Sequence, residues 1–239
     1  MPHSFSIVIP VYNEEKRIPK NIDSICEFFS KVPERTEIIF VNDGSRDDTQ
    51  KILENYKSKY GFKIVEYKKN TGKGYAVRQG ALAASSDWVI FFDIDLATPL
   101  SEFEQLKLLM EPSDQIIIGS RRLSGSKVQR SESFLRIFLG QGFSKLSNLF
   151  VPGIPDFTCG FKCFSKEATV KIFPRARINR WAFDTELLYI ARLKQIPIRQ
   201  MPVSWAHDDD SRVRVLSDIV SSAKELLQIK INHWRGLYY

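Results

Sequence analysis

An α/β fold, a mostly parallel sheet flanked by helices, is predicted by two features of the chain. Short β-branched runs alternate through the first half with polar, amphipathic stretches of helix length. The runs are nearly continuous in hydrophobicity, as strands covered on both faces are. A third feature says where such a sheet would work. Carboxylates and amides gather at the C-terminal tips of the runs, where open α/β sheets bind their ligands.

In chain order, the first strand is predicted at 6–12 (SIVIPVY) and leads into a helix at about 15–31. The second, 37–43 (EIIFVND), precedes a helix at 47–60 that Asp47 or Asp48 could cap. The third, 63–67 (KIVEY), is followed by a helix at 72–84. The fourth and strongest, 88–95 (WVIFFDID), comes before a helix at 101–111, with Ser101 and Glu104 as its capping box. The fifth is 115–120 (QIIIGS). No repeat or low-complexity linker divides the chain, so a single domain over 1–239 is expected.

Composition narrows the class. At 239 residues, 43% hydrophobic and 26% charged, the chain is neither disordered, collagen-like nor a disulfide-stapled miniprotein. Cys26, Cys159 and Cys163 are too few and scattered for a disulfide framework, which favours a reducing compartment. Cys159 and Cys163 form a lone C-x3-C with no His nearby, short of the four ligands of structural zinc. The net charge of +7 is unevenly placed. Residues 1–118 hold 15 Lys and Arg against 18 Asp and Glu, and residues 119–239 hold 20 against 10. A basic second half points to phosphate-bearing or anionic-surface partners, or simply to a soluble basic surface. No signal-peptide pattern opens the chain, and no uncharged apolar run reaches the ~18 residues of a membrane span. The G-x-G-x-x-G and G-x-x-x-x-G-K-[ST] fingerprints are absent, which argues against dinucleotide dehydrogenases and P-loop NTPases.

Acids at three successive strand tips are costly unless paired, and a metal–phosphate ligand would pair them. Asp93 and Asp95 sit where the fourth strand should break into loop. There they could reach one divalent cation through hard oxygen ligands, with water and a diphosphate completing its shell; a D-x-D pair also serves as a loop cap. Asp43, before Gly44, suits a base or ribose contact and equally an Asx-turn. Pro10, Tyr12 and Glu14 read as part of the same site, or as a strand end and a first-turn acid. Between 119 and 153, Arg121, Arg122, Lys127, Arg130, Arg136 and Lys145 stand against one acid, Glu132, with Phe134, Phe138, Phe143 and Phe150 interleaved. That is an amphipathic helix for a membrane surface, or a core-facing helix with a basic rim. Nucleic acid is not expected, since no recognition motif accompanies the charge. Asp184 and Glu186 open a predicted helix, as a cap or as groups that orient or deprotonate an acceptor. The acids at 208–210 precede Arg212 and Arg214, a loop that could grip a diphosphate; His207 beside them reads as an exposed loop residue.

Six strings occur in one order along almost the whole chain: PVYNE (10–14), VNDGSRDDT (41–49), NTGKGYAVRQG (70–80), DIDLATP (93–99), GSR (119–121) and DFTCGFK (156–162). They resemble the family-2 glycosyltransferases of the GT-A fold, most closely the polyprenyl- or dolichyl-phosphate hexosyltransferases. The D-x-D-L-x-T-P and G-K-G-x-A-V-R-x-G strings, with FDTELL and PVSW further on, resemble the glucosyl branch more than the mannosyl one.

The resemblance implies an inverting, single-displacement transfer of glucose from UDP-glucose to a polyprenyl phosphate such as dolichyl phosphate. GDP-mannose as donor, or a glycan hydroxyl as acceptor, are the alternatives. It implies a divalent cation, Mg or Mn, on Asp95 with Asp93 beside it. It implies nucleotide-sugar contacts from Pro10, Tyr12, Glu14, Asp43, Lys73 and Asp93, and catalytic roles for Asp93, Asp95, Arg121, Asp184 and Glu186. Arg121 and Arg130 correspond to basic residues around the acceptor phosphate. Since a lipid phosphate is already anionic, Asp184 and Glu186 would orient rather than deprotonate. Residues 1–118 are the expected nucleotide-sugar half and 119–239 the acceptor and membrane-surface half. One departure stands out: Asn42-Asp43 replaces the two acids of many relatives, so only Asp43 is carried over. Trp234, Arg235, Tyr238 and Tyr239 resemble an interfacial belt. The expected place is the cytoplasmic face of an anionic membrane, peripheral or anchored by a segment absent from this chain.

Overall fold

The computed structural model describes residues 4–111, 113, 115–129, 134–206 and 215–239, with backbone alone at 134–139 and 215–220. The five predicted strands are present as β1 (Phe5–Val11), β2 (Thr36–Asn42), β3 (Lys63–Glu66), β4 (Trp88–Phe91) and β5 (Ile116–Ser120). Four more follow: β6 (Lys127–Gln129), β7 (Lys162–Ser165), β8 (Ile198–Pro202) and β9 (Ser204–Ala206). The main sheet has seven strands in the order β3-β2-β1-β4-β7-β5-β8, and β6 pairs with β9 apart from it. Every pairing in the main sheet is parallel except those of β7, which runs antiparallel to β4 and β5.

That one reversed strand positions the site. A strand running against its neighbours begins where they end, so the segment leading into β7 arrives at the C-terminal tips of β4 and β5. Lys162, its first residue, pairs with Phe91, the last of β4, and lies beside Ile118 of β5.

The helices are α1 (Ile18–Ser30), α2 (Thr49–Tyr60), α3 (Lys73–Ala83), α4 (Glu102–Leu109), α5 (Phe134–Asn148), α6 (Lys166–Ile172), α7 (Phe183–Leu193) and α8 (Val215–Trp234). α1 starts three residues later than expected, because 14–17 form a turn in which Arg17 and Ile18 N–H donate to Glu14 O and Pro19 sits in the first turn. α2 stops at Gly61, left-handed at φ 72°. Its start is helped by Asp47, whose Oδ1 accepts from Thr49 N at 3.1 Å, while Asp48 makes no side-chain cap. The expected capping box on α4 does not form: Ser101 makes no side-chain cap, and Glu104 pairs with Lys107 at 3.1 Å instead. β4 ends at Phe91 rather than 95, so Asp93 and Asp95 lie in loop.

Alternate strand residues feed two cores, one on each face. Val8, Val41, Val89 and Phe91 pack with α3, α6 and α7. Ile7, Ile9, Phe40 and Ile90 pack with α1 and α4. Phe5, Phe29 and Phe103 meet edge to face on the second side at 5.0 and 5.2 Å. Truncating fully buried Phe103 to alanine should cost about 3–5 kcal/mol. Cys159 and Cys163 are both free and buried in that core, and burial pushes the Cys159 thiol up to about 11.

Candidate active site

The loops after β1 and β2 are tied to each other. Asn13, left-handed at φ 54°, accepts from Arg46 N through Oδ1 at 2.8 Å, and its own N–H donates to Ser45 Oγ at 2.9 Å. Glu14 N donates to Thr49 Oγ1 at 2.8 Å, and the Glu14 carboxylate pairs with Arg17 at 3.2 Å. Just before them in the chain, Tyr12 is exposed and Pro10 half-buried.

Asp43, buried at the tip of β2, holds the next loop. Its Oδ1 accepts from Thr71 N at 2.8 Å, and its Oδ2 accepts from Gly72 N at 2.8 Å and Asn70 Nδ2 at 2.7 Å. The approach needs glycines. A Cβ on Gly44 would lie 2.6 Å from Asn70 N, and one on Gly72, at φ +115°, would lie 2.4 Å from Asn179 O. The loop so held delivers Lys73 as the first residue of α3, and its ammonium pairs with Asp93 Oδ1 at 2.5 Å. Asp43 and Asp93 are thus joined by the stretch Thr71–Gly72–Lys73.

Asp95 turns its own loop by accepting from Ala97 N at 3.0 Å, and Leu96 between them is left-handed at φ 52°. Burial and the neighbouring Asp93 push the Asp95 carboxyl up from its ordinary value. Gly160 packs close to Asp93, since a Cβ there would fall 2.0 Å from Asp93 Oδ2. Lys162, fully buried, donates to Cys159 O at 2.6 Å and pairs with Asp184 Oδ1 at 2.6 Å. Asp184 therefore lies within the first turn of α7 as an ion-pair partner, and Ala182, not Asp184, is the residue before the helix. Burial raises the Asp184 carboxyl, with Lys162 and Lys73 opposing that rise.

Two of the expected catalytic residues are engaged elsewhere. Arg121 forms a two-pronged pair with buried Asp156, Nε to Oδ2 and Nη2 to Oδ1, both 2.8 Å, and reaches Thr158 Oγ1 at 2.8 Å with Trp205 beneath it. The pairing holds the Asp156 carboxyl well below the usual range despite its burial. Glu186 faces away from Asp184. Its Oε2 accepts from Arg177 N and Ile178 N at 2.8 and 2.7 Å, and its Oε1 accepts from buried Tyr238 Oη at 2.5 Å. It ties the C-terminal tail to the 176–182 loop that covers Gly72 and Gly74. Arg130, His207, the acids at 208–210, Arg212 and Arg214 lie outside the described residues, as do the side chains at 134–139.

Asp93, Asp95, Lys73, Asp184 and Lys162 thus share one charged cluster at the sheet's C-terminal edge, with Asp43 one loop away. Lys162, Gly160 and Asp156 were missed as site residues. All three stand in the DFTCGFK string, whose position next to the β4 tip depends on the reversal of β7.

The chemistry of this edge fits a divalent cation. Asp93 and Asp95 offer hard oxygen ligands, and an ammonium already stands on Asp93 where positive charge is needed. Among the described residues no group of three or more His, Cys, Asp or Glu gathers as a metal cluster, so much of the shell would come from diphosphate and water.

The family model described as "Glycosyl transferase family 2" matches residues 6–173. A dolichyl-phosphate beta-glucosyltransferase of Dictyostelium discoideum is 34% identical, over 98% of this chain and 76% of its own. The human protein of the same description is 35% identical over 98% and 76%. Among solved structures, glucosyl-3-phosphoglycerate synthase from Mycobacterium tuberculosis, in complex with Mn2+, UDP and glucosyl-3-phosphoglycerate, superposes with a TM-score of 0.68 at 21% identity, covering 96% of this chain and 79% of that one. The same synthase with Mg2+ and UDP superposes at 0.64 and 19% identity, over 96% and 78%. At that identity the likeness speaks for the fold alone.

Proposed function

The chain belongs to glycosyltransferase family 2, and from that premise we propose that it transfers glucose from UDP-glucose to dolichyl phosphate with inversion at the sugar carbon. The observation that carries the reading is the linkage of Asp43 to Asp93 through Thr71–Gly72–Lys73, which joins the strand-tip acid expected to meet the nucleoside to the pair expected to hold the cation. Near full-length relatedness to dolichyl-phosphate beta-glucosyltransferases supports both the sugar and the acceptor.

Asp43, with Pro10, Tyr12 and Glu14 around it, receives the nucleoside. Lys73 offers an ammonium to the diphosphate. Asp93 and Asp95 hold the Mg2+ or Mn2+, which when bound supplies positive charge opposite the departing diphosphate. Asp184, fixed by Lys162, stands where it can accept hydrogen bonds from sugar hydroxyls and orient the ring. Arg121 is a guanidinium held rigid by Asp156 and Thr158, a preorganised partner for the acceptor phosphate, with Arg130 assigned beside it. Because that phosphate is anionic before it attacks, no residue has to remove a proton from it. Glu186 positions the 176–182 loop through its bonds to Arg177 and Ile178.

Dolichyl phosphate resides in a membrane, so the enzyme works at a membrane surface, and we assign it to the cytoplasmic face. No helix among the described residues is long and apolar enough to cross a membrane. Leu227, Ile231 and Trp234 form an exposed stripe on α8, and Leu146 and Leu149 are exposed at the end of α5, which packs against it. With Lys145 and Arg235 nearby in sequence, this face suits an anionic bilayer surface.

Transfer is tested by incubating the protein with radiolabelled UDP-glucose, dolichyl phosphate and Mg2+ or Mn2+, then extracting into organic solvent. Label in the organic phase is expected. Higher incorporation from GDP-mannose would reassign the donor, and label that stays with a water-soluble glycan would reassign the acceptor.

A further inference from the structure

Lys73 occupies the place on Asp93 that a cation would need. The Lys73 ammonium holds Oδ1 at 2.5 Å, and Gly160 lies so close on the other side that a Cβ there would fall 2.0 Å from Oδ2. A divalent ion about 2.0–2.6 Å from that oxygen would stand within a few ångströms of the ammonium, and positive charges so close repel each other. The ammonium must leave first. Gly160 crowds the Oδ2 side with backbone, so Oδ1, where only a side chain stands, is the edge that opens.

The backbone of Lys73 has little freedom. Thr71 and Gly72 are bonded to Asp43, and Tyr75 N donates to Asn179 O at 3.1 Å. Only the side chain can swing. Its anchor lies on the loop that Asp43 grips, between the nucleoside end of the site and the cation seat. The two side chains of the pair are 32% and 31% exposed, so an arriving ligand reaches both. A nucleoside diphosphate lodged against Asp43 would bring its phosphate oxygens into the arc of this side chain. Lys162 cannot substitute at Asp93, because it is buried and committed to Asp184 and Cys159 O.

We propose that Lys73 is a positioning residue that closes the cation seat until a nucleoside diphosphate draws its ammonium away, so that cation and donor bind as one coupled event. This rests on the nucleotide-sugar reading above and adds to it an order of assembly. A free divalent ion meets an Asp93 whose charge is already paired. The diphosphate offers the ammonium a new partner and the cation two further ligands at once. The exchange also guards the seat against cations that arrive without a donor.

The experiment is a Mn2+ titration of the full chain, read by the paramagnetic resonance signal of free Mn2+, with and without UDP, and with a thermal melt to establish folding. Lys73→Met is expected to bind Mn2+ alone more tightly than wild type, by a factor within the roughly 5- to 150-fold range of coupled sites. The gain in Mn2+ affinity on adding UDP should shrink by the same factor. Lys73→Arg should behave as wild type, and Lys73→Gln carries the same expectation as Lys73→Met should the latter not fold. Folded Lys73→Met or Lys73→Gln binding Mn2+ alone no more tightly than wild type overturns the proposal, as does Asp93→Asn leaving Mn2+ binding unchanged with UDP present. Failure of wild type to bind UDP at all would instead sink the donor reading, while the comparison in Mn2+ alone still reads the lysine.

Discussion

Carboxylates stand at both ends of the same strands, and they live under opposite conditions. At the N-terminal edge, Glu37 of β2 is saturated: it accepts from Ser6 Oγ, Ser85 N, Ser85 Oγ and Lys63 Nζ at 2.5–2.8 Å. Burial would raise its carboxyl, but these donors overcome that and hold it at about 2. At the C-terminal edge, Asp95 and Asp184 are pushed the other way by burial. One edge has enough donors for its charge. The other holds Asp93, Asp95 and Asp184 against Lys73 and Lys162, which leaves negative charge for a ligand to satisfy. Site and scaffold thus differ in what their carboxylates lack.

The strongest way to break this comparison is Asp95→Asn. Transfer should fall about a thousandfold, while the melting temperature stays level or rises, since a poorly paired, half-buried charge has been removed. A clear loss of stability would mean that Asp95 belongs to the scaffold. Gly160→Ala comes next: the added methyl must displace the Asp93 carboxylate, and transfer should drop about a hundredfold, as for an ångström-scale misplacement.

Glu37→Gln sharpens the other side. It should lower unfolding free energy by about 1–3 kcal/mol in urea melts, discounted because Lys63 is half exposed, and leave transfer unchanged. The pH dependence has a definite sign. The folded carboxyl is depressed from 4.5 to about 2, so its contribution is present above the unfolded value and is lost as pH falls through that window. Wild type should therefore lose more stability between pH 5 and pH 2 than Glu37→Gln does. Tyr238→Phe is the smallest change. Removing the hydroxyl leaves Glu186 Oε1 without that donor and should cost about 1–2 kcal/mol, with a modest rise in KM for the donor as the 176–182 loop loosens.

The first five strands and four helices were legible in the residues themselves, because hydrophobic period and turn chemistry are local. So was the cluster of acids at the strand tips, since the end of an apolar run is visible in one dimension. In the second half the helices α5 and α7 were legible too, but the strands were not. β7 is four residues long and runs antiparallel between two strands far from it in sequence, and nothing in KCFS states that direction. Nor could spacing separate Asp184 from Glu186. Their i, i+2 placement turns them to different sides of α7, one toward Lys162 and one toward Tyr238, and only the packing of α7 between sheet and tail decides which meets the site. Nor does the sequence state that Arg121 is held by a two-pronged pair with Asp156, 35 residues away. Sequence determined the ligand end of the sheet and the kind of chemistry placed there. Tertiary structure decided which charges already had partners, because pairing depends on distances that residues far apart in the chain acquire only when the sheet assembles.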